Sequence, residues 1–463
     1  MPRLRASKSA CTHDALQADP SPHAEEAGFS RLSPAQLAAA ADPSGCVPGS
    51  SKAKAIVLDG GVDDAAERAA CYPTPLVLPG DDLAADPEYG GQSLRSWIEL
   101  QQRNAVTARR KTLYVAAPPD IEDDVSFMSR WTVPLGRATA RQKLQPKPLD
   151  PNHVVEYLAA FYHGLSVKPF PRPFCFVPWD NKPSAEAKNS ELPSFVGLAV
   201  GNACTRIQAR PSPDGSFRRQ LQLTDLLDAL IEDLPADAYA AILLVDHDLY
   251  EDEDDTFCCG RAYGGSRVCV VSSARYRPEL DKDCDIDLEH MWPASHCAEY
   301  INKMCGVKKS ASRSNSRSKS CLPPSDGGGE LSHLKPLRTA VEAAKKASAP
   351  GEDPYALWLS RYVRTAAHEL GHCFGLDHCV WYACMMQGTT CLEEDVRQPP
   401  YLCPVCTNKV ARAVLSVTRR VKEDTYLAER DRALLDFCEK WKDNAMFAGY
   451  AAWLEVMLDH PVQ

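Results

Sequence analysis

The order of apolar and polar positions predicts strands and helices that alternate along most of the chain. Short apolar runs flanked by charged residues or proline indicate strands at residues 111–116, 165–170, 195–207, 240–245 and 267–272. Apolar residues at helical spacing, flanked by capping residues, indicate helices at residues 94–102, 152–161, 354–376 behind Asp353, from 224 onward and beyond 420. Strands and helices that alternate in this way are typical of the α/β fold class.

Composition separates a main domain, residues 96–420, from less regular segments. Residues 1–95 are rich in Ala, Pro, Asp and Ser without a sustained period, so we expect a poorly ordered N-terminal extension with one helical turn near Pro34–Ala41. Residues 308–329 are a low-complexity stretch of Lys, Ser, Arg and Gly, which predicts a disordered insertion. Residues 421–463 are expected to form a C-terminal helical segment that packs through its apolar face.

Length, charge and cysteine usage exclude several classes of protein. The 463 residues are 44% hydrophobic, which is enough for a globular core, and the net charge of −10 does not favour binding to nucleic acid or to anionic membranes. No run of 18 apolar residues and no signal-peptide pattern is present. Nineteen cysteines without a secretory signal favour reduced or metal-bound thiols over disulfides. We therefore expect a soluble protein of the cytoplasm or nucleus, without a nucleic-acid or membrane partner.

Residues 368–378 read HELGHCFGLDH, the pattern H-E-x-x-H-x-x-G-x-x-H without a gap. His368 and His372 lie one helical turn apart and can reach the same metal ion. Gly375 can adopt a left-handed conformation that ends the helix, so that His378 supplies a third ligand from a loop. Three histidines in this register predict a catalytic zinc site, and Glu369 lies where the general base of a zinc peptidase belongs.

Four cysteines follow the third histidine in two short pairs. Cys379 and Cys384 form C-x4-C, and Cys403 and Cys406 form C-x2-C. Paired thiolates at these spacings are typical of a closed structural zinc site, although four buried free thiols are the alternative interpretation. Together with the histidines, they predict two Zn²⁺ ions per chain, one catalytic and one structural.

The motif and its surroundings resemble the archaemetzincin family of zinc metallopeptidases, which belongs to the metzincin clan, and in particular its eukaryotic members. The resemblance is carried by the three-histidine motif, the four cysteines, the segment MQG at residues 386–388 and the segment LEE at residues 392–394. Upstream, Asp248–Tyr250 and the segment VVSSARY at residues 270–276 are also similar to family segments.

The resemblance implies a metzincin-like zincin fold, in which a mixed twisted sheet carries the active-site helix beside a small four-cysteine zinc site. It places Met386, next to the competing Met385, in the Met-turn under the catalytic zinc, and it places Val268–Ser272 at the sheet edge that lines the cleft. It implies hydrolysis of peptide bonds in peptide or protein substrates, with an aminopeptidase-like action on short peptides. The alternative is an inactive zinc-binding scaffold of the same fold, in which Glu369 has no catalytic role; the oligomeric state is left open.

One further segment resembles a different enzyme class. Residues 287–293, DLEHMWP, contain the E-H-x-x-P stretch of some His-metal endonucleases, and a basic Ser/Arg tract follows at residues 313–319. A second His/Asn element in a fitting context is missing, and the chain is acidic overall. We therefore interpret this segment as a loop and not as a nuclease site.

Overall fold

The structure is a computed structural model that describes residues 11–46, 68–135, 147–179, 193–307, 332–349, 351, 353–418 and 421–459. Its strands are β1 (Thr112–Ala116), β2 (Asp120–Ile121), β3 (Ser166–Pro169), β4 (Phe174–Val177), β5 (Phe195–Val200), β6 (Ala203–Arg210), β7 (Gln220–Gln222), β8 (Ala238–Val245), β9 (Asp248–Tyr250), β10 (Gly260–Tyr263) and β11 (Val268–Ser272).

The α-helices are α1 (Pro22–Ala27), α2 (Pro34–Ala41), α3 (Asp82–Ala85), α4 (Leu94–Glu99), α5 (Pro151–Phe161), α6 (Leu223–Glu232), α7 (Ala298–Met304), α8 (Lys335–Ser348), α9 (Pro354–Cys373), α10 (Leu392–Asp395), α11 (Pro404–Leu415), α12 (Glu423–Glu439) and α13 (Ala445–Asp459). Short 3-10 helices lie at Asp123–Arg130, Gly264–Ser266, Ala274–Tyr276, Pro278–Leu280, Leu288–His290, Ala294–His296 and Ser332–Leu334. Within the described residues, no helix combines the length and the apolar character that crossing a lipid bilayer would require.

A five-stranded mixed sheet with the order β10-β11-β8-β1-β3 lies at the centre of the fold. Strands β3, β1, β8 and β11 run parallel to one another, and β10 is antiparallel to β11. All eight residues of β8 are buried, as expected for a strand covered on both faces. The α/β class and the mixed sheet predicted from the sequence are therefore confirmed.

The prediction that Val268–Ser272 forms the sheet edge is wrong. These residues form β11, which is buried and lies between β8 and β10, while the edge position belongs to β10. Strand β10 reads GRAY, and its residues are partly or fully exposed, so it lacks the apolar run by which the sequence marks a buried strand.

The two faces of the central sheet pack against different layers. Leu113, Ile242 and Leu244 belong to one hydrophobic cluster with residues of α9, whereas Leu243 and Val245 belong to a second cluster with residues of α6. That second cluster also holds residues of a six-stranded sheet with the order β2-β4-β5-β6-β7-β9. Alternate residues of each strand point to opposite faces, so one apolar run fills both clusters.

Several predicted elements are confirmed with shifted ends. Helix α5 has Asp150 as its N-cap and not Asn152, and the strand predicted at residues 195–207 is a hairpin of β5 and β6. Helix α9 begins at Pro354 behind the capping side chain of Asp353, as predicted, but ends at Cys373 and not at residue 376. The predicted helical segment after residue 420 is present as α12 and α13, and it packs into the same cluster as α9.

The described parts of the N-terminal region, residues 11–46 and 68–95, are ordered, which differs from the expectation of a poorly ordered extension. Helix α2 lies where a helical turn was predicted, with a capping box at Ser33. Tyr72 and Leu94 are buried in the main cluster, and Asp81 forms a 2.6 Å ion pair with Arg397. Amino-acid composition does not reveal this order. Single apolar residues of the region pack against distant elements, and they are not spaced regularly enough to form an apolar face that the sequence would show. The insertion predicted at residues 308–329 lies outside the described residues.

Candidate metal centre and active site

Helix α9 presents two histidines of the motif side by side. His368 Nδ1 lies 2.7 Å from the carbonyl oxygen of Met385, and His372 Nδ1 lies 2.8 Å from that of Leu376. A carbonyl only accepts, so each neutral ring carries its proton on Nδ1 and leaves a lone pair on Nε2. The two Nε2 atoms lie 3.1 Å apart, a repulsive arrangement that a shared cation would relieve.

A left-handed turn after α9 brings in the third histidine. Gly375 has φ +76°, and the amide N–H of Leu376 donates to the carbonyl of Gly371 across a 3.2 Å bond, as in a Schellman cap. The chain therefore reverses, and the ring centroid of His378 lies 5.5 Å from that of His368 and 5.1 Å from that of His372. The turn predicted at Gly375 is confirmed.

The three histidines fit a metal ion by spacing and by charge. Each offers a ring nitrogen within 4.8 Å of the others. Nitrogen ligands about 2.1 Å from a tetrahedral zinc ion are about 3.4 Å apart, close to the spacing of the first pair. Burial lowers the pKa of His368, lowers that of His372 to about 4 and lowers that of His378, so neutral pH leaves uncharged rings that can bind a cation.

Glu369 lies beside the histidine cluster and is 8% exposed. Burial raises its pKa to about 8, which the nearby cation Arg261 partly opposes. The residue packs against the edge strand β10, because a Cβ atom placed on Gly260 would be 3.1 Å from Glu369 Cγ. A carboxyl group in this setting takes up and releases a proton near neutral pH, as a general acid–base catalyst requires.

A charged pair beside Glu369 was missed by the sequence analysis. Arg261, on β10, forms a 3.1 Å ion pair with Glu251, the residue directly after β9. The Arg261 side chain is 54% exposed, so it is accessible to a ligand in the cleft. No motif marks either residue, since the pair forms only when β10 folds beside the helix.

The four predicted cysteines meet in one buried cluster. Their sulfur atoms all lie within 4.8 Å of one another, and the Sγ atoms of Cys379 and Cys403 are 3.5 Å apart. Burial opposes ionisation, yet hydrogen bonds from the other three thiols lower the pKa of Cys379 well below its ordinary value. Four sulfur donors at this spacing could hold a zinc ion, as thiolates do in structural sites.

The two adjacent methionines have different contacts with α9. A Cβ atom on Gly371 would lie 2.6 Å from Met386 Sδ, so the Met386 side chain packs against the helix between the two histidine positions. Met385 contributes its backbone carbonyl to His368 instead. The amide of Cys379 donates to the carbonyl of Met386 at 2.7 Å, which ties the histidine and cysteine clusters together.

The N-terminal region also reaches the site, which the sequence analysis did not foresee. A Cβ atom on Gly388 would contact Asp82 Oδ2 and lie 2.9 Å from His378 Nδ1, so the Asp82 carboxylate lies close to the third histidine. The Tyr89 hydroxyl donates to Asp377 at 2.6 Å. No periodicity or motif singles out Asp82 or Tyr89, because their role depends on a contact about 300 residues away in sequence.

Comparison with known proteins finds relatives that are similar to this chain around the site. The model of peptidase family M54 matches residues 348–412, which contain all three histidines and all four cysteines. Archaemetzincin-2 of Macaca fascicularis is 30% identical over 204 residues, or 44% of this chain and 45% of the relative. Human archaemetzincin-1 is 28% identical over 222 residues, or 47% of this chain and 36% of the relative.

The chain thus matches less than half the length of these curated relatives. Among solved structures, archaemetzincin from Methanopyrus kandleri aligns with 66% of this chain and 97% of its own, at 18% identity and a TM-score of 0.31. The matched stretch of sequence contains both clusters described above, and over that stretch the chain is similar to peptidase family M54 and to the archaemetzincins.

Proposed function

We propose that this chain is a zinc-dependent peptidase that hydrolyses peptide bonds in peptide or protein substrates. The observation that carries the proposal is the convergence of three neutral imidazoles, from His368, His372 and His378, beside the buried carboxyl group of Glu369. Three nitrogen ligands and one adjacent carboxylate are the side chains that a catalytic zinc site of a peptidase uses.

His368, His372 and His378 would hold the catalytic zinc, which when bound polarises a substrate carbonyl and lowers the pKa of water. Cys379, Cys384, Cys403 and Cys406 would hold a second, structural zinc. The carbonyls of Met385 and Leu376 fix the tautomer and the orientation of the first two rings. Met386 would form the Met-turn, where its role is to pack under the ligand helix.

Glu369 would act as the general base. Its carboxylate accepts the proton of the attacking water and then delivers that proton to the leaving amine. Contact with β10 holds the side chain in place, and burial raises its affinity for the proton. The neighbouring charge of Arg261 favours the ionised form that begins the cycle.

The edge strand β10 would align the substrate. It is the last strand of the central sheet on the side of Glu369, among the residues that the structure describes. An extended peptide can pair with such an edge through backbone hydrogen bonds. The finer part of the proposal is an aminopeptidase-like preference for short peptides; this part rests on the family resemblance, and the paired charges of Glu251 and Arg261 are candidates for contacting the substrate terminus.

The test compares the unaltered protein with Glu369→Gln, which preserves the size of the side chain and removes its basicity. Both are loaded with zinc and incubated with a mixed peptide library, and new termini are identified by mass spectrometry. Glu393→Gln, an exposed glutamate on α10, is the matched control. We expect cleavage by the unaltered protein and the control, with at least a 100-fold loss in Glu369→Gln.

The position of the new termini tests the finer proposal. Removal of single residues from amino termini supports the aminopeptidase-like preference, and internal cuts contradict it while leaving the peptidase proposal intact. Equal product profiles for the unaltered protein and Glu369→Gln, with the same zinc content, would overturn the proposal of a peptidase and would favour a zinc-binding scaffold.

A further inference from the structure

Metal-binding side chains from two distant parts of the chain converge away from the candidate active site. Cys11 belongs to the N-terminal segment, whereas Cys297 lies directly before α7, 286 residues later in sequence. Their Sγ atoms are 3.5 Å apart, and both thiols are free. A ring nitrogen of His290 lies within 4.8 Å of both sulfur atoms.

The distances between these side chains are similar to the distances inside the histidine cluster and the four-cysteine cluster described above. The separation of Cys11 and Cys297 equals the 3.5 Å between Cys379 and Cys403 in the four-cysteine cluster. Sulfur ligands about 2.3 Å from a tetrahedral zinc ion are about 3.8 Å apart. A disulfide would require about 2.05 Å, so the pair is arranged as two ligands and not as a bond.

A second histidine lies beside this group of three, although its nitrogen atoms are not within 4.8 Å of all the other ligand atoms. The ring centroid of His13 lies 5.2 Å from that of His290. This distance falls inside the range of 4.8–5.5 Å spanned by the three histidines of the candidate active site. Since His13 is two residues from Cys11, the N-terminal segment brings one sulfur atom into the group and one imidazole next to it.

The nitrogen atoms that would bind are buried and lack a partner among the described residues. His290 is 6% exposed, and its Nε2 atom makes no hydrogen bond there. Its Nδ1 atom is paired with Asp287 Oδ2 at 2.9 Å, which keeps the proton on Nδ1 and the lone pair on Nε2. A carboxylate behind a histidine in this way is a common feature of zinc sites. The Nε2 atom of His13 is also buried without a partner.

We propose that Cys11, His290 and Cys297 form a third metal site for Zn²⁺, with His13 beside them as the nearest side chain for a fourth ligand position. Two thiolates neutralise the charge of the ion, and the imidazole of His290 supplies a borderline-soft nitrogen ligand that suits it. The segment of residues 287–293, interpreted from sequence as a loop, thus contributes a metal ligand without nuclease chemistry.

The site would fasten the N-terminal segment to the body of the protein. Backbone pairing begins directly beside it, since the amide of Gln17 donates to His296 and that of Ala298 donates to Ala15, both at 2.9 Å. A metal ion bound between Cys11 and Cys297 would close a loop of 286 residues, and its binding free energy would add to the free energy of unfolding. The role of this site is structural, and it does not depend on peptidase activity.

Metal analysis of variants tests the proposal. Cys11→Ser and Cys297→Ser, purified after a chelator wash and reloaded with zinc, should each hold about one ion fewer per chain than the unaltered protein. Cys305→Ser is the matched control, because this thiol belongs to the same apolar cluster but to no group of metal-binding side chains. Full zinc content in Cys297→Ser, with the loss confined to a Cys406→Ser variant, would overturn the third site.

A second measurement uses the unaltered protein and so does not depend on whether a variant folds. The protein is treated with an alkylating reagent, and the modified cysteines are mapped by mass spectrometry. We expect Cys11 and Cys297 to resist alkylation until a strong zinc chelator is added, without any reductant. Labelling before the chelator would show free thiols, and labelling that requires a reductant would show a disulfide; either result overturns the proposal.

Discussion

Gly264 lies against the backbone carbonyl of His372, so that a Cβ atom on this glycine would stand 2.5 Å from the carbonyl oxygen. The 3-10 turn that begins at Gly264 joins β10 to β11, and the His372 carbonyl lies in the last turn of α9. The side chain of Asn104 donates to the carbonyls of Gly264 and Gly265, each at 3.0 Å, and secures the turn. The close approach therefore sets the distance between the edge strand and the ligand helix.

Replacement of Gly264 by alanine should separate these two elements. We expect Gly264→Ala to lower the free energy of unfolding by about 1–3 kcal/mol, because the methyl group meets backbone that cannot rotate away. The rate of zinc-dependent peptide cleavage should also fall in this variant, since Gly260 of β10 and Glu369 of α9 are in contact where the same two elements meet. Urea denaturation and kcat/KM measure the two effects.

Gly265→Ala is the matched control, because a Cβ atom at Gly265 would meet nothing within 4 Å. Equal stability of the two variants would contradict the contact between the turn and the helix.

Removal of one thiol from the four-cysteine cluster should act on the active site through the backbone. We expect Cys406→Ser to lose about one zinc ion per chain and to melt at a lower temperature, because three remaining ligands hold the ion less tightly. The carbonyls of Met385 and Met386 join this cluster to His368 and to the third-histidine loop. Peptide cleavage should therefore decrease as well.

Metal analysis and thermal denaturation measure this effect, and Cys391→Ser is the control, since Cys391 is exposed and outside the cluster. An unchanged zinc count in Cys406→Ser would refute the four-cysteine site.

The residues that the sequence predicted for both clusters come together because their geometry is local. A spacing of four residues places His368 and His372 on one helical face, and Gly375 produces the turn toward His378 within six residues. In the same way, the few residues between the two cysteines of each pair keep their thiols close together. Patterns of this kind can be recognised without knowing how distant parts of the chain pack.

Other features were not predictable because they depend on contacts between distant segments. Strand β10 is an edge strand only through its pairing with β11, and its short polar sequence carries no strand signal. Asp82 reaches His378 because the N-terminal region docks on the loop after α9. The same docking brings Cys11 to Cys297, although each is an isolated cysteine in the sequence.

Asp82 should position the third histidine. The carboxylate lies near His378 Nδ1, and the amide of Asp82 is fixed by two 3.1 Å hydrogen bonds to Glu394. We expect Asp82→Ala to weaken zinc binding at the histidine cluster at least about tenfold, because partners behind a histidine ligand orient its ring. Competition with a coloured chelator measures the affinity.

Asp86→Ala, which removes an exposed carboxylate four residues later, should leave the affinity unchanged. Equal zinc affinities for Asp82→Ala and the unaltered protein would exclude the positioning role.

Glu394 should make folding sensitive to pH near neutrality. Burial raises its pKa to about 7, and the neighbouring Asp81 acts in the same direction. Since the folded state binds this proton more tightly than the unfolded state, the stabilisation is complete below the ordinary pKa of 4.5 and is lost as the pH rises through about 7. The contribution of this group to the free energy of unfolding therefore decreases from pH 5 to pH 8.

Glu394→Gln should remove this contribution, because the amide stays neutral while its oxygen still accepts hydrogen bonds from the amides of Asp82 and Thr390. Urea midpoints measured from pH 5 to pH 8 should fall less steeply in this variant than in Glu393→Gln, whose carboxylate is exposed. Comparison at equal pH cancels the effect of metal release, which both variants share. Parallel curves would show that Glu394 is ionised in the folded protein across this range, and that its buried hydrogen bonds outweigh the cost of desolvation.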